Sequence, residues 1–185
     1  MKKYYVLIVG ALLCFPCYAS KVIGVLDGDT LDVMENGSPL RIRLANVDAP
    51  EKTQAFGQAS KKSLSDMCYG KEAIVHVTGM EQTIREKKRT IAIVQCGGID
   101  VNRAQVERGL AWVYTRYNHD VTLPLLQLQA KNGHIGLWHD VDPVPPWDYR
   151  HKKTGLVATD VSDCLVGPRG GRFRIVDGKK QYGCA

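Results

Sequence analysis

The chain has 185 residues, enough for one domain with a real core plus appendages. No repeat or low-complexity tract appears, and no long apolar segment follows the first nineteen residues, which sets aside solenoids and integral membrane proteins. The formal charge of +6 is uneven: residues 20–150 balance 16 basic against 16 acidic side chains, whereas residues 151–185 hold 7 against 3. A basic tail on a neutral body suits a polyanionic partner, or is simply a solvated tail.

Lys2 and Lys3 precede an apolar run from Tyr4 to about Leu13, and Cys17-Tyr18-Ala19 ends in a small residue. This reads as a secretory signal peptide over residues 1–19, cleaved near Ala19, which predicts export to the periplasm or the extracellular space. No membrane span is expected in the mature chain. Cys68, Cys96, Cys164 and Cys184 remain, and an even count in an exported chain implies two disulfides. Of three connectivities, Cys68–Cys96 and Cys164–Cys184 is favoured, one bridge in the body and one in the tail. A zinc site is disfavoured, because there is no Cys-x-x-Cys pair and the five histidines are scattered.

The first predicted strand is Val22 to Leu26, turned at Asp27-Gly28, and the second is Thr30 to Glu35. Asn36-Gly37 is a strong two-residue hairpin signal. Leu40, Ile42 and Leu44 then alternate with Arg41, Arg43 and Ala45, as in a half-buried third strand. A helix is expected from Gln54 to about Met67, with Ala55, Ala59 and Leu64 on its inner face. Two further strands follow, Ala73 to Thr78 and Thr90 to Gln95. Asn102 is expected to cap a helix running to Arg108, ended by Gly109. A third helix runs from Leu123 to Lys131. Pro143, Pro145 and Pro146 read as a stiff connector over residues 142–150, from which Trp147 and Tyr149 pack back on the body. Residues 151–185 read as a small basic extension, a disulfide-closed β-ribbon. Five strands with three helices predict an α+β fold, either a closed five-stranded Greek-key barrel of the OB type over residues 20–141 or a small sandwich.

Asp29, Arg43, Asp48 and Glu51 are placed so that a twisted meander brings them to one end of the sheet, a candidate site for a hard cation beside a phosphate. The ordered series Asp27-Gly28-Asp29-Thr30, Arg43-Leu44, Val47-Asp48-Ala49-Pro50-Glu51, Arg89, Val101-Asn102, Arg108-Gly109-Leu110-Ala111 and Gly136-Leu137-Trp138 resembles the staphylococcal nuclease family over about residues 21–139. The resemblance also implies the OB-type barrel.

It further implies Ca²⁺ held by Asp29, Asp48 and the main-chain carbonyl of Ala49, where the family often carries Thr. Glu51 is the implied general base, and Arg43 and Arg89 are the implied phosphate clamps, a bidentate task that Lys cannot copy. Asp27 reads as a turn residue. The segment Arg85-Glu86-Lys87-Lys88-Arg89 lacks the family's glycine before its second arginine, yet Arg85, Lys87 and Lys88 supply cations for a phosphate backbone. Tyr117 matches a ligand-contacting tyrosine of the family, while Thr115 stands where another would be. Trp112, Tyr114 and Tyr117 suit base stacking or the core. Arg169, Arg172 and Arg174 in the tail are candidate substrate contacts. The expected function is a Ca²⁺-dependent endonuclease acting on DNA, with RNA as a second candidate substrate and 3′-phosphate ends; the alternative is a catalytically silent OB module that binds oligonucleotides. No protein partner is implied.

Overall fold

The computed structural model describes residues 17–82, 88–153, 157–159, 164–166, 172–176 and 179–182, with side chains described for residues 19–81 and 89–151. In chain order the elements are β1 (Cys17–Val25), β2 (Thr30–Glu35), β3 (Ser38–Leu44), β4 (Val47–Asp48), α1 (Gly57–Cys68), β5 (Glu72–Gln82), β6 (Lys88–Cys96), β7 (Ile99–Asp100), α2 (Val101–Glu107), β8 (Trp112–Val113) and α3 (Leu123–Asn132). A 3-10 turn (Gly136–His139), α4 (Pro146–Lys153), β9 (Val157–Thr159), β10 (Cys164–Val166), β11 (Arg172–Val176) and β12 (Lys179–Tyr182) complete the series.

Strand order β3-β2-β1-β5-β6 closes on itself because β3 also pairs in parallel with β6, Ile42 opposite Thr90 and Leu44 opposite Ala92. Closure removes the sheet edges and decides for the five-stranded barrel over the sandwich. The β2–β3 hairpin turns on Asn36 and Gly37, both at positive φ (48° and 79°), the conformation that matches the right-handed strand twist. Leu31, Val33, Ile42, Leu44, Val75 and Val94 fill the barrel, with Leu64 and Met67 of α1 beneath them. The Cys68–Cys96 disulfide ties the end of α1 to the end of β6 inside this core. Of the second expected bridge, Cys184 and the side chain of Cys164 lie outside the described residues.

Several expectations need correction. Among the described residues the body carries four α-helices with α4 included, since the proline-rich run ends in a helix rather than continuing as a connector: Pro146 opens α4 at the position where a missing N–H costs nothing. β1 begins at Cys17, and its first residues pair with β5, Cys17 opposite His76. The described part of the extension is a four-stranded antiparallel sheet, β12-β11-β10-β9, rather than a ribbon. On α1 the inner face is Gly57, Ser60, Ser63, Leu64 and Met67, while Ala55 and Ala59 are exposed. Asp100, not Asn102, caps α2 by accepting the Arg103 N–H. Asn102 is instead buried inside α2, donating to the carbonyls of Ala45 and Ala92 and accepting from the Val94 N–H, so it locks the β3–β6 closure. Among the described residues no helix is long and apolar enough to cross a membrane.

Candidate active site

The hairpin register places Thr30 opposite Arg43, so Asp29, one residue before β2, lies beside the base of β3. The turn that presents Asp29 is fixed twice. Asp27 accepts the Asp29 N–H, and Gln105 of α2, fully buried, donates to the Gly28 carbonyl at 2.7 Å. A Cβ on Gly28 would stand 1.8 Å from Ser60 Oγ, so only glycine permits this approach to α1. After β3 the chain reverses at Asn46, at φ 67°, and β4 pairs with β8, with Asp48 opposite Trp112. This delivers Asp48 to the same end of the barrel as Asp29.

Arg43 joins the two carboxylates. Its guanidinium donates to Asp29 Oδ1 at 3.3 Å, to Asp48 Oδ1 at 3.0 Å and to the Val47 carbonyl at 3.4 Å. Asp29 Oδ1 accepts from the Thr30 hydroxyl, and Oδ2 accepts the Ala49 N–H at 2.8 Å. Burial pushes the Asp29 carboxyl up from 3.8 to about 7; Arg43 works against that rise, Asp27 and Asp48 add to it, and the Ala49 N–H opposes it. Burial works against the charge on Arg43 as well, but Asp29 and Asp48 more than restore it, so the guanidinium stays protonated throughout.

These groups line a cleft of about 1210 Å³ that also includes Glu51, Glu81, Arg89, Tyr114 and Tyr117. β6 enters directly at Lys88, whose partner in the ladder is Gln82, and Arg89 is opposite Glu81. The missing glycine therefore does not displace Arg89 from the cleft: it lies two residues before Ile91, the β3-facing partner of Arg43, and hence on the same face of the sheet. Its Nη2 donates to Glu81 at 2.6 Å, and its buried Nε has no hydrogen-bond partner among the described residues. Tyr117 is exposed at the rim, edge-on to Tyr114 with Arg116 over its ring. Trp112 packs between Trp138 and Trp147, at ring distances of 4.3 and 5.7 Å, and is thereby committed to the core. Arg85, Lys87 and Arg169 lie outside the described residues, as do the side chains of Lys88, Arg172 and Arg174.

One residue of the site was absent from the sequence reading. Arg150 of α4 donates to Asp48 Oδ2 at 2.7 Å and Oδ1 at 3.3 Å, and to Glu51 Oε1 at 2.8 Å. α4 is held there by Trp147, stacked on Tyr114, and by Tyr149, whose hydroxyl meets both the side chain and the carbonyl of Thr53. Pro146 at the helix start was the available signal, but nothing local marks which side chain of α4 reaches a carboxylate about a hundred residues away.

The sequence model described as "Staphylococcal nuclease homologue" matches residues 41–140. The chain belongs to the staphylococcal nuclease family. Its relatives include an "Uncharacterized endonuclease" of Escherichia coli O157:H7, 41% identical over 157 residues that make up 83% of this chain and 100% of that protein. A second "Uncharacterized endonuclease", from Haemophilus influenzae, is 38% identical over 76% of this chain and 77% of its own length. A protein named "Micrococcal nuclease" from Shigella flexneri is 34% identical over 72% and 80% respectively. The family match ends at residue 140, so Arg43, Asp48, Glu51 and Arg89 of this nuclease-family chain fall within it and Arg150 falls beyond it.

Proposed function

We propose that this chain is a Ca²⁺-dependent endonuclease that hydrolyses DNA, with RNA as a second substrate, at the P–O5′ bond to leave 3′-phosphate ends. The observation that carries the reading is the Arg43 bridge between Asp29 and Asp48, which gathers two carboxylates and a bidentate phosphate donor at one mouth of the cleft.

The donor set fits a hard cation: two carboxylates and the Ala49 carbonyl are all oxygen. A bound Ca²⁺ would supply Lewis acidity toward a phosphate oxygen. The protein's own groups do the rest. Arg43 and Arg89 hold the phosphate from the barrel wall, and the fork of each fixes its orientation for in-line attack. Glu51 is 39% exposed, open enough to meet a solvent water, and takes the proton as that water attacks. Tyr117 at the rim offers a face for a base.

Export through residues 1–19 and substrate retention by the basic residues 151–185 complete the proposal, with Arg169, Arg172 and Arg174 as phosphate contacts. Nicking of supercoiled plasmid by the purified chain tests it. Cleavage in Ca²⁺ that EGTA abolishes and Mg²⁺ does not restore is the expected result. Plasmid retention without any nicking in Ca²⁺ would instead favour the silent oligonucleotide-binding barrel.

A further inference from the structure

Asp48, the proposed cation ligand, has only 1% of its side chain exposed, and part of what covers it is Arg150, itself 40% exposed. The fork of Arg150 engages both Asp48 oxygens, and its other nitrogen reaches on to Glu51. A cation that takes Asp48 must displace this guanidinium from the Asp48 oxygens. Arg43 contacts only one Asp48 oxygen and comes from the barrel wall, so it does not close the approach in the same way.

Arg150 is carried by α4, outside the strands of the barrel. α4 follows a run without regular structure from about residue 140 to 145, in which Val141 is fully exposed. Its docking contacts include the Trp147 ring against Trp112 and Tyr114, the Tyr149 hydroxyl on Thr53 and, just before the helix, the Gln54 amide on the Val144 carbonyl at 2.5 Å.

We propose that Arg150 is a latch, an autoinhibitory guanidinium that excludes the divalent cation from Asp48 and ties up one oxygen of Glu51 until the cation and the guanidinium exchange places. The inference rests on the reading of Asp48 as cation ligand and Glu51 as base. Two arrangements then exclude one another, one with Arg150 docked and one with Asp48 given to the cation. Removing the latch must favour the second. By linkage, the cation must in turn release the latch.

The test is calorimetric titration of Ca²⁺ into the full chain, without nucleic acid, for wild type, Arg150→Ala, Arg150→Gln and Asp48→Asn. Both Arg150 variants should bind Ca²⁺ more tightly by roughly 5- to 150-fold, the usual range of coupling between linked equilibria. Two variants are used so that a folding failure of one leaves the other. On wild type, Ca²⁺ should also speed the modification of Arg150 by phenylglyoxal, followed by peptide mass analysis. The proposal requires both results. Unchanged or weaker Ca²⁺ binding in the folded Arg150 variants overturns it, and so does unchanged or slower modification. The underlying reading fails in a different way, by Asp48→Asn binding Ca²⁺ as well as wild type, or by no form of the chain binding it.

Discussion

Replacing Arg43 by lysine separates charge from geometry at the centre of the site. The guanidinium is 15% exposed and makes three contacts, to Asp29, Asp48 and the Val47 carbonyl. Lysine keeps the positive charge, so neither aspartate is left facing an uncompensated interior. It has one nitrogen, however, and cannot span both carboxylates. Two contacts are lost, both of them long ones at 3.3–3.4 Å if the amine stays on Asp48. At the lower end of charge-assisted bonds this costs about 1.5–3 kcal/mol in all. For a chain of this size that corresponds to a fall in Tm of roughly 3–12 °C. Loss of one preorganised donor to the phosphate should lower kcat by about 10²–10³. Arg41→Lys is the control: it lies two residues away on β3 in an exposed pair with Asp32, where the cost should stay below about 1 kcal/mol with activity kept. Scanning calorimetry and plasmid-nicking kinetics on both variants decide the matter. Arg43→Lys with activity within a few-fold of wild type would refute the phosphate-clamp role. An unshifted Tm would refute the bridging role.

Three further outcomes are expected. Arg89→Lys should lose most activity while changing Tm little, because its partner Glu81 is exposed and its fork faces the cleft; if Arg85→Lys proves the damaging change instead, the register of this loop is misassigned. Asp29 titrates near about 7 when folded and near 3.8 when unfolded, so between those values the folded chain holds a proton that the unfolded chain has shed. Stability drawn from this group is full below about pH 4 and lost as pH rises through about 7, while Ca²⁺ binding should strengthen over the same rise and release a proton; pH-independent Ca²⁺ titrations would contradict it. Opening the Cys68–Cys96 bridge by a double Ser variant should cost about 3–4 kcal/mol from its 28-residue separation, and denaturant midpoints that do not move would exclude a stabilising role.

What could be read in the sequence was what is local. Asn36-Gly37 declares its turn by residue type, and that turn sets the register that brings Asp29 to Arg43. The inner face of α1 was misread because its buried positions include serines, which polarity patterns assign to solvent. They are buried because they have partners: Ser60 donates to the Leu110 carbonyl and Ser63 accepts from Arg108. Asn102 suits a cap by type, but Asp100 takes that place, which frees the amide for a three-point lock that no spacing rule reveals. Arg150 is the extreme case. Its partners lie 99 and 102 residues earlier, and only the folding of α4 onto the barrel brings them together.

The central claim is that Glu51 takes a proton from water beside a cation and a clamped phosphate. Glu51→Gln keeps the shape and removes the proton acceptor. Nicking rate and substrate affinity should be measured together on this variant in Ca²⁺. The expected result is turnover lowered by about 10²–10⁴ with substrate binding nearly kept. Turnover within a few-fold of wild type would contradict the assignment of Glu51 as the base.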